Sequence, residues 1–127
     1  MHEAEVKRRK VYFDGGFRGG EMEIAVVVGG EAFVVRNLGN GDRLKAEWLA
    51  LLYGISVARF LRLDDIILLG DALDVVDQAG GRAPVTSSCK EQAGALEALR
   101  EGHLPPIRHI KRTQNLAGIA LASAHPR

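Results

Sequence analysis

Residues 66–76, IILLGDALDVV, decide the fold class. Four apolar residues followed by Gly70 predict a short buried strand, and Asp71 stands where that strand ends. The residues after Asp71 predict a helix that ends near Gly80 and Gly81. A strand that leads directly into a helix is a building unit of α/β proteins, so we expect a sheet with helices on its faces.

The residues before this segment predict three strands and a long helix. Runs typical of β-strands cover residues 10–17, 24–28 and 31–36, and Gly-Gly pairs separate the first three segments from one another, which indicates an antiparallel meander. Apolar residues then recur at helical spacing over residues 44–61.

The residues after this segment predict two more helices and a last strand. A Ser88 cap and Gly102 bound a helix over residues 88–100, a strand follows at 107–111, and Thr113 caps a helix that runs to about Ala124. The predicted order is β-β-β-α-β-α-α-β-α. We therefore expect an α/β fold with a five-stranded mixed sheet, in which an antiparallel meander is followed by parallel strands and helices cover both faces.

Composition limits the class of protein. The chain has 127 residues, of which 46% are hydrophobic and 26% are charged, and this mixture favours a single globular domain, 1–127, over a disordered chain. Cys89 is the only cysteine, which excludes a disulfide framework and a cysteine-based zinc site. No stretch resembles a signal peptide or a membrane span, so we expect a cytoplasmic protein without a membrane partner.

Charge is unevenly distributed along the chain. The net charge is only +1, yet residues 102–127 contain no Asp or Glu. This part of the chain carries four basic side chains, namely Arg108, Lys111, Arg112 and Arg127. Cations near the start of a helix favour phosphate binding, although an ordinary solvated basic face would show the same pattern.

Three acids are candidates for a common site. Singly, Asp14 could belong to an Asp-Gly turn, Glu47 could be an exposed helical residue, and Asp71 could cap a helix. Asp14 and Asp71, however, each follow a predicted strand. If those strands are parallel neighbours, both carboxylates emerge at one edge of the sheet. Crowded carboxylates repel one another, and a hard divalent cation such as Mg²⁺ is the usual way to neutralise them.

Four sequence motifs resemble those of the type 1 ribonuclease H family, in its short form. They are Tyr12-Phe13-Asp14-Gly15-Gly16, Ala46-Glu47-Trp48-Leu49-Ala50-Leu51, the segment 69–76 around Asp71, and Arg112-Thr113-Gln114-Asn115 followed by Ala120-Leu121-Ala122. They occur in the family's order and span nearly the whole chain. The resemblance implies a ribonuclease H-like fold and Mg²⁺- or Mn²⁺-dependent hydrolysis of the RNA strand in RNA–DNA hybrids. It makes Asp14, Glu47 and Asp71 the catalytic, metal-binding residues.

One position departs from the family pattern. Where the resemblance implies a fourth acid that helps to hold the water-activating metal, this chain has Ile119. We expect the Ile119 side chain to lie beside the acidic cluster and turnover to be slow. The alternative is that the protein has repacked around Ile119. The alternative function is a nucleic-acid-binding or scaffold domain that keeps the fold without turnover.

The expected contacts to nucleic acid involve six residues, which are Gly15, Gly16, Arg18, Lys111, Arg112 and Asn115. The glycines would permit close approach of a nucleic-acid backbone, or would only form a loop. Asn115 could also be a weak metal ligand, or could cap or brace the last junction between strand and helix. The expected partner is an RNA–DNA hybrid or another nucleic acid, and the protein is expected to be a monomer or a small homo-oligomer.

Overall fold

The computed structural model describes residues 8–100 and 104–125. Short 3₁₀ turns precede two of its helices, at Ser87–Cys89 and Arg112–Gln114. The strands and helices, in chain order, are β1 (Arg9–Arg18), β2 (Glu21–Val28), β3 (Glu31–Val35), α1 (Arg43–Phe60), β4 (Ile66–Gly70), α2 (Leu73–Ala79), α3 (Lys90–Ala98), β5 (Ile107–His109) and α4 (Leu116–Ser123).

The five strands form one mixed sheet in the order β3-β2-β1-β4-β5. The β1–β2 and β2–β3 pairs are antiparallel, whereas β1–β4 and β4–β5 are parallel. In the β1–β4 register Tyr12 is the partner of Leu69, so Asp14 and Asp71 each lie two residues beyond the same paired position. The predicted fold class is confirmed, and so is the predicted neighbourhood of the two strands that carry these acids.

Helices cover both faces of the sheet because the central strands bury alternate side chains on opposite sides. Val11 and Phe13 of β1 join the larger core, which contains the fully buried Trp48 of α1. On the other face, Val27 of β2 packs in a smaller cluster with Leu121 of α4. Within the described ranges, no helix has both the length and the apolar character needed to cross a membrane.

Two predicted helix caps, Ser88 and Thr113, are wrong, and so is the alternative that Asp71 caps a helix. Ala72, not Asp71, occupies the N-cap of α2, and α3 begins at Lys90 without a side-chain cap from Ser88. The last helix is capped by Asn115 rather than Thr113, because the Asn115 Oδ1 atom accepts a hydrogen bond from the Ala117 N–H group. The predicted terminator Gly102 lies outside the described residues.

Candidate metal centre

The structure brings the three predicted acids together. Asp14 lies in β1, Glu47 is one turn into α1, and Asp71 directly follows β4. One carboxylate oxygen from each of the three residues lies within 4.8 Å of those from the other two. Asp14 is part of a continuous strand rather than of a turn, because the β1–β2 turn is formed by Gly19 and Gly20.

Gly15 allows Glu47 to enter the cluster. A Cβ atom at position 15 would collide with the backbone of Ala46 and Glu47, so only glycine permits α1 to approach β1 this closely. The Gly15 N–H group donates a hydrogen bond to Glu47 Oε1 at 2.9 Å. The Glu47 side chain is buried in this contact, with 4% of its surface exposed. The alternative that Glu47 is an ordinary surface residue of a helix is therefore wrong.

Burial and crowding favour the neutral forms of two of the acids. Burial, followed by repulsion from Asp71, raises the pKa of Asp14 to about 6, although a hydrogen bond with Glu47 opposes the rise. Burial, followed by repulsion from Asp14, raises the pKa of Glu47 to about 8. An all-oxygen donor set whose members repel one another suits a hard divalent cation, which would remove that repulsion.

Asn115 holds the cluster in place through hydrogen bonds to β1 and to Asp71. Its side chain is fully buried, and its Nδ2 atom donates hydrogen bonds to the Phe13 carbonyl at 3.0 Å and to Asp71 Oδ2 at 2.8 Å. Its Oδ1 atom caps α4 through the Ala117 N–H group. The structure thus favours the bracing alternative for Asn115 and argues against the expected direct contact with nucleic acid, because the buried side chain offers no surface.

Two surface depressions flank the acids. The first, of about 220 Å³, includes Asp14 and adjoins α4, and we call it the α4-side depression; its other lining residues include Gly15, Gly16, Arg18, Glu23, Arg43 and Gly118. The second, of about 400 Å³, is the α2-side depression, lined by Arg43, Leu44, Glu47, Asp71, Ala72, Leu73, Asp74 and Arg112. Four of the predicted nucleic-acid-binding residues thus line a depression beside the acids. Lys111 is exposed and lines neither.

Sequence reasoning missed two charged residues here. Arg43 lines both depressions, and its charge lowers the pKa values of Asp14 and Glu47. Its spacing of four residues from Glu47 on one helix was the available signal. Glu23 is 7% exposed, and His125 Nε2 lies 2.7 Å and 2.9 Å from its two carboxylate oxygens. No sequence signal marked Glu23, because it precedes the apolar run that predicted β2.

Ile119 lies in the first turns of α4 with 53% of its surface exposed. Its neighbour Gly118 approaches the acids, since a Cβ atom there would lie 3.2 Å from Asp14 Oδ2. Helix α4 therefore reaches Asp14 at this turn. The exposed side chain is inconsistent with a core repacked around Ile119, whereas its position beside the acids stays a prediction.

Comparisons with known proteins agree with this architecture. A family model described as reverse transcriptase-like matches residues 27–125, a range that begins after Asp14. No curated protein matches the sequence. The structure is similar to that of RNase H1 from the halophilic archaeon Halobacterium salinarum NRC-1, with 26% identity, coverage of 91% of this chain and 94% of that chain, and a TM-score of 0.75.

Two further solved structures share the fold. LC11-RNase H1, in complex with an RNA/DNA hybrid, has 22% identity and a TM-score of 0.74 over 90% of this chain and 93% of that chain. The N-terminal RNase H domain of Rv2228c from Mycobacterium tuberculosis has 22% identity and a TM-score of 0.69 over 91% and 95%. The chain therefore belongs to the reverse transcriptase-like family, and its fold is that of the type 1 ribonucleases H.

Proposed function

We propose that this protein is a divalent-cation-dependent endonuclease that hydrolyses the RNA strand of RNA–DNA hybrids. The observation that carries the proposal is the convergence of Asp14, Glu47 and Asp71, from three separate elements, within 4.8 Å of one another. Folding alone gives no reason to gather three acids at one point, because their repulsion destabilises the folded chain.

The protein contributes the positions of these groups. Gly15 fixes Glu47, and Asn115 fixes Asp71, each through a hydrogen bond to one carboxylate oxygen. The Arg112 guanidinium is close enough to lower the pKa of Asp14. Mg²⁺ or Mn²⁺, when bound by the three acids, supplies positive charge to a phosphodiester as negative charge develops during hydrolysis.

An RNA–DNA hybrid is the substrate class that the resemblance favours. One structure with the same fold, LC11-RNase H1, is in complex with such a hybrid. In this protein, depressions on both sides of the acids carry arginine side chains, which suit a phosphate backbone. Because Ile119 replaces an acid, we expect slow turnover that needs high Mg²⁺, or Mn²⁺.

The test is cleavage of an RNA–DNA hybrid, with duplex RNA and duplex DNA as comparison substrates. We expect the parent protein to cut only the RNA strand of the hybrid, in Mg²⁺ or Mn²⁺ but not in EDTA. The variant with Asp14→Ala and Asp71→Ala should fold and show no cleavage above background. Equal cleavage by parent and variant would indicate a contaminating nuclease and would defeat the proposal.

A nucleic-acid-binding domain without turnover is the second candidate. The observation that favours it is Ile119, an apolar residue at the position where the resemblance implies a metal-binding acid. A parent protein that binds the hybrid tightly but leaves it intact at every Mg²⁺ and Mn²⁺ concentration would support this second function.

A further inference from the structure

We propose that Arg43 binds a phosphate of the nucleic-acid strand held at the acids, and so supplies part of the positive charge of the reaction site. The inference rests on the proposed function, which it deepens by naming a substrate-positioning residue. Nothing in the sequence motifs assigns Arg43 this role.

The position of Arg43 is the first observation. It is the first residue of α1, exposed to solvent, and one helical turn before Glu47. Of the residues that line the two depressions, Arg43 alone lines both. A strand that crosses from one depression to the other over the acids would therefore pass this side chain.

The availability of the guanidinium is the second observation. Among the described residues, four other arginines form ion pairs with carboxylates within 4.0 Å, namely Arg8, Arg36, Arg82 and Arg100. None of the ion pairs found in the described ranges includes Arg43, although its charge acts on Asp14 and Glu47. An arginine side chain carries five N–H donors, and its planar group can bind two phosphate oxygens at once.

Charge balance gives the physical reason. Three ionised carboxylates carry three negative charges, and one divalent cation leaves a single negative charge, which would repel a phosphate. Arg43 cancels that remaining charge, and Arg112, which lines the α2-side depression together with Asp74, offsets the charge of that further acid. The site then attracts a phosphodiester with only one bound cation, in keeping with the missing fourth acid at Ile119.

The test compares Arg43→Ala and Arg43→Lys with Lys10→Ala. Lys10 lies in the same strand as Asp14 but roughly 13 Å before it along β1, so its loss removes the same charge away from the acids. Binding of a fluorescent RNA–DNA hybrid is measured in Ca²⁺ at several salt concentrations, and Mg²⁺-induced stabilisation is measured without nucleic acid.

For Arg43→Ala we expect about tenfold weaker hybrid binding. The logarithm of its binding constant should also fall less steeply with the logarithm of the salt concentration, by about the slope of one phosphate contact. Arg43→Lys should restore the salt dependence but only part of the affinity, because lysine binds as a point charge. Arg43→Ala should also bind Mg²⁺ alone more tightly, because the positively charged guanidinium no longer repels the ion. If Arg43 only supported the structure, the variant would bind both the hybrid and Mg²⁺ more weakly. Lys10→Ala should match the parent.

Each outcome decides between the proposals. If the parent binds and cuts the hybrid and Arg43→Ala does both equally well, this inference fails and the ribonuclease proposal stands. Equal losses in Arg43→Ala and Lys10→Ala would also overturn it. If the parent binds without cutting and only Arg43→Ala loses affinity, the ribonuclease proposal fails while Arg43 keeps its role. A parent protein that binds no hybrid contradicts both.

Discussion

Glu47 is placed where its proton stabilises the fold. Its pKa rises from 4.5 to about 8 through burial and repulsion by Asp14. The folded state therefore holds the proton more tightly than the unfolded state does. The resulting stabilisation is complete below pH 4.5 and is lost as the pH rises to about 8.

We predict that in EDTA the free energy of unfolding falls between pH 4.5 and about pH 8, and that Glu47→Gln removes most of this fall. The neutral amide keeps the size of the side chain but cannot ionise. Urea denaturation of parent and variant at four pH values across this range measures the effect. Parallel pH profiles for the two proteins would contradict the buried, repelled state of Glu47.

Ile119 is the residue that distinguishes this chain from the family pattern. Because its side chain is 53% exposed, Ile119→Asp buries no new charge, and we expect a folded protein with a melting temperature within a few degrees of the parent's. We predict that the variant cleaves the hybrid at least about tenfold faster than the parent, because the new carboxylate adds the missing ligand to the cation site. Cleavage rate and melting temperature are measured together. A stable variant without faster cleavage at any Mg²⁺ concentration would show that the missing acid does not limit this protein.

At the scale of elements, the contact between β1 and α1 is the one that forms the site. A Cβ atom at Gly15 would collide with the Ala46 backbone, whereas one at Gly94 of α3 would meet nothing within 4 Å. We predict that Gly15→Ala lowers the free energy of unfolding by several kcal/mol, and that Gly94→Ala raises it by about 0.5–1 kcal/mol through helix propensity. Chemical denaturation of both variants measures these values. A Gly15→Ala protein as stable as the parent would mean that α1 can move away from β1 at little cost.

The junction between β1, β4 and α4 depends on Asn115. Asn115→Ala leaves the buried Phe13 carbonyl and the Ala117 N–H group without this partner, so we predict a loss of roughly 2–4 kcal/mol in the free energy of unfolding. The control is Asn40→Ala, an exposed position where we expect a change near zero. Similar values for the two variants would contradict the bracing role.

Most elements could be predicted from sequence because hydrophobic periodicity depends on which faces are buried. The strand over residues 66–69 and the long helix over 44–61 each agree with the structure to within one residue at either end. Helix starts were harder to predict. Asp71, Ser88 and Thr113 all have side chains that can cap a helix, but the start is set by tertiary contacts, such as those that hold Asn115 between Phe13 and Asp71.

For the whole molecule, the site follows from topology. Parallel pairing of β1 with β4 places Asp14 and Asp71 at matching positions, and this could be predicted from the order of the strands. The sequence pattern alone does not specify how closely α1 approaches the sheet. This distance determines how far the Glu47 side chain is buried and places Arg43 between the two depressions.

The central claim is that the three acids form one cation site, and thermal unfolding with and without Mg²⁺ tests it most directly. In EDTA we predict a modestly higher melting temperature for Asp14→Asn than for the parent, since one of the crowded charges is gone. With Mg²⁺ the parent should be stabilised, Asp14→Asn much less so, and Asp64→Asn, an exposed acid before β4, as much as the parent. An equal response to Mg²⁺ in the parent and Asp14→Asn would contradict a cation site at these acids.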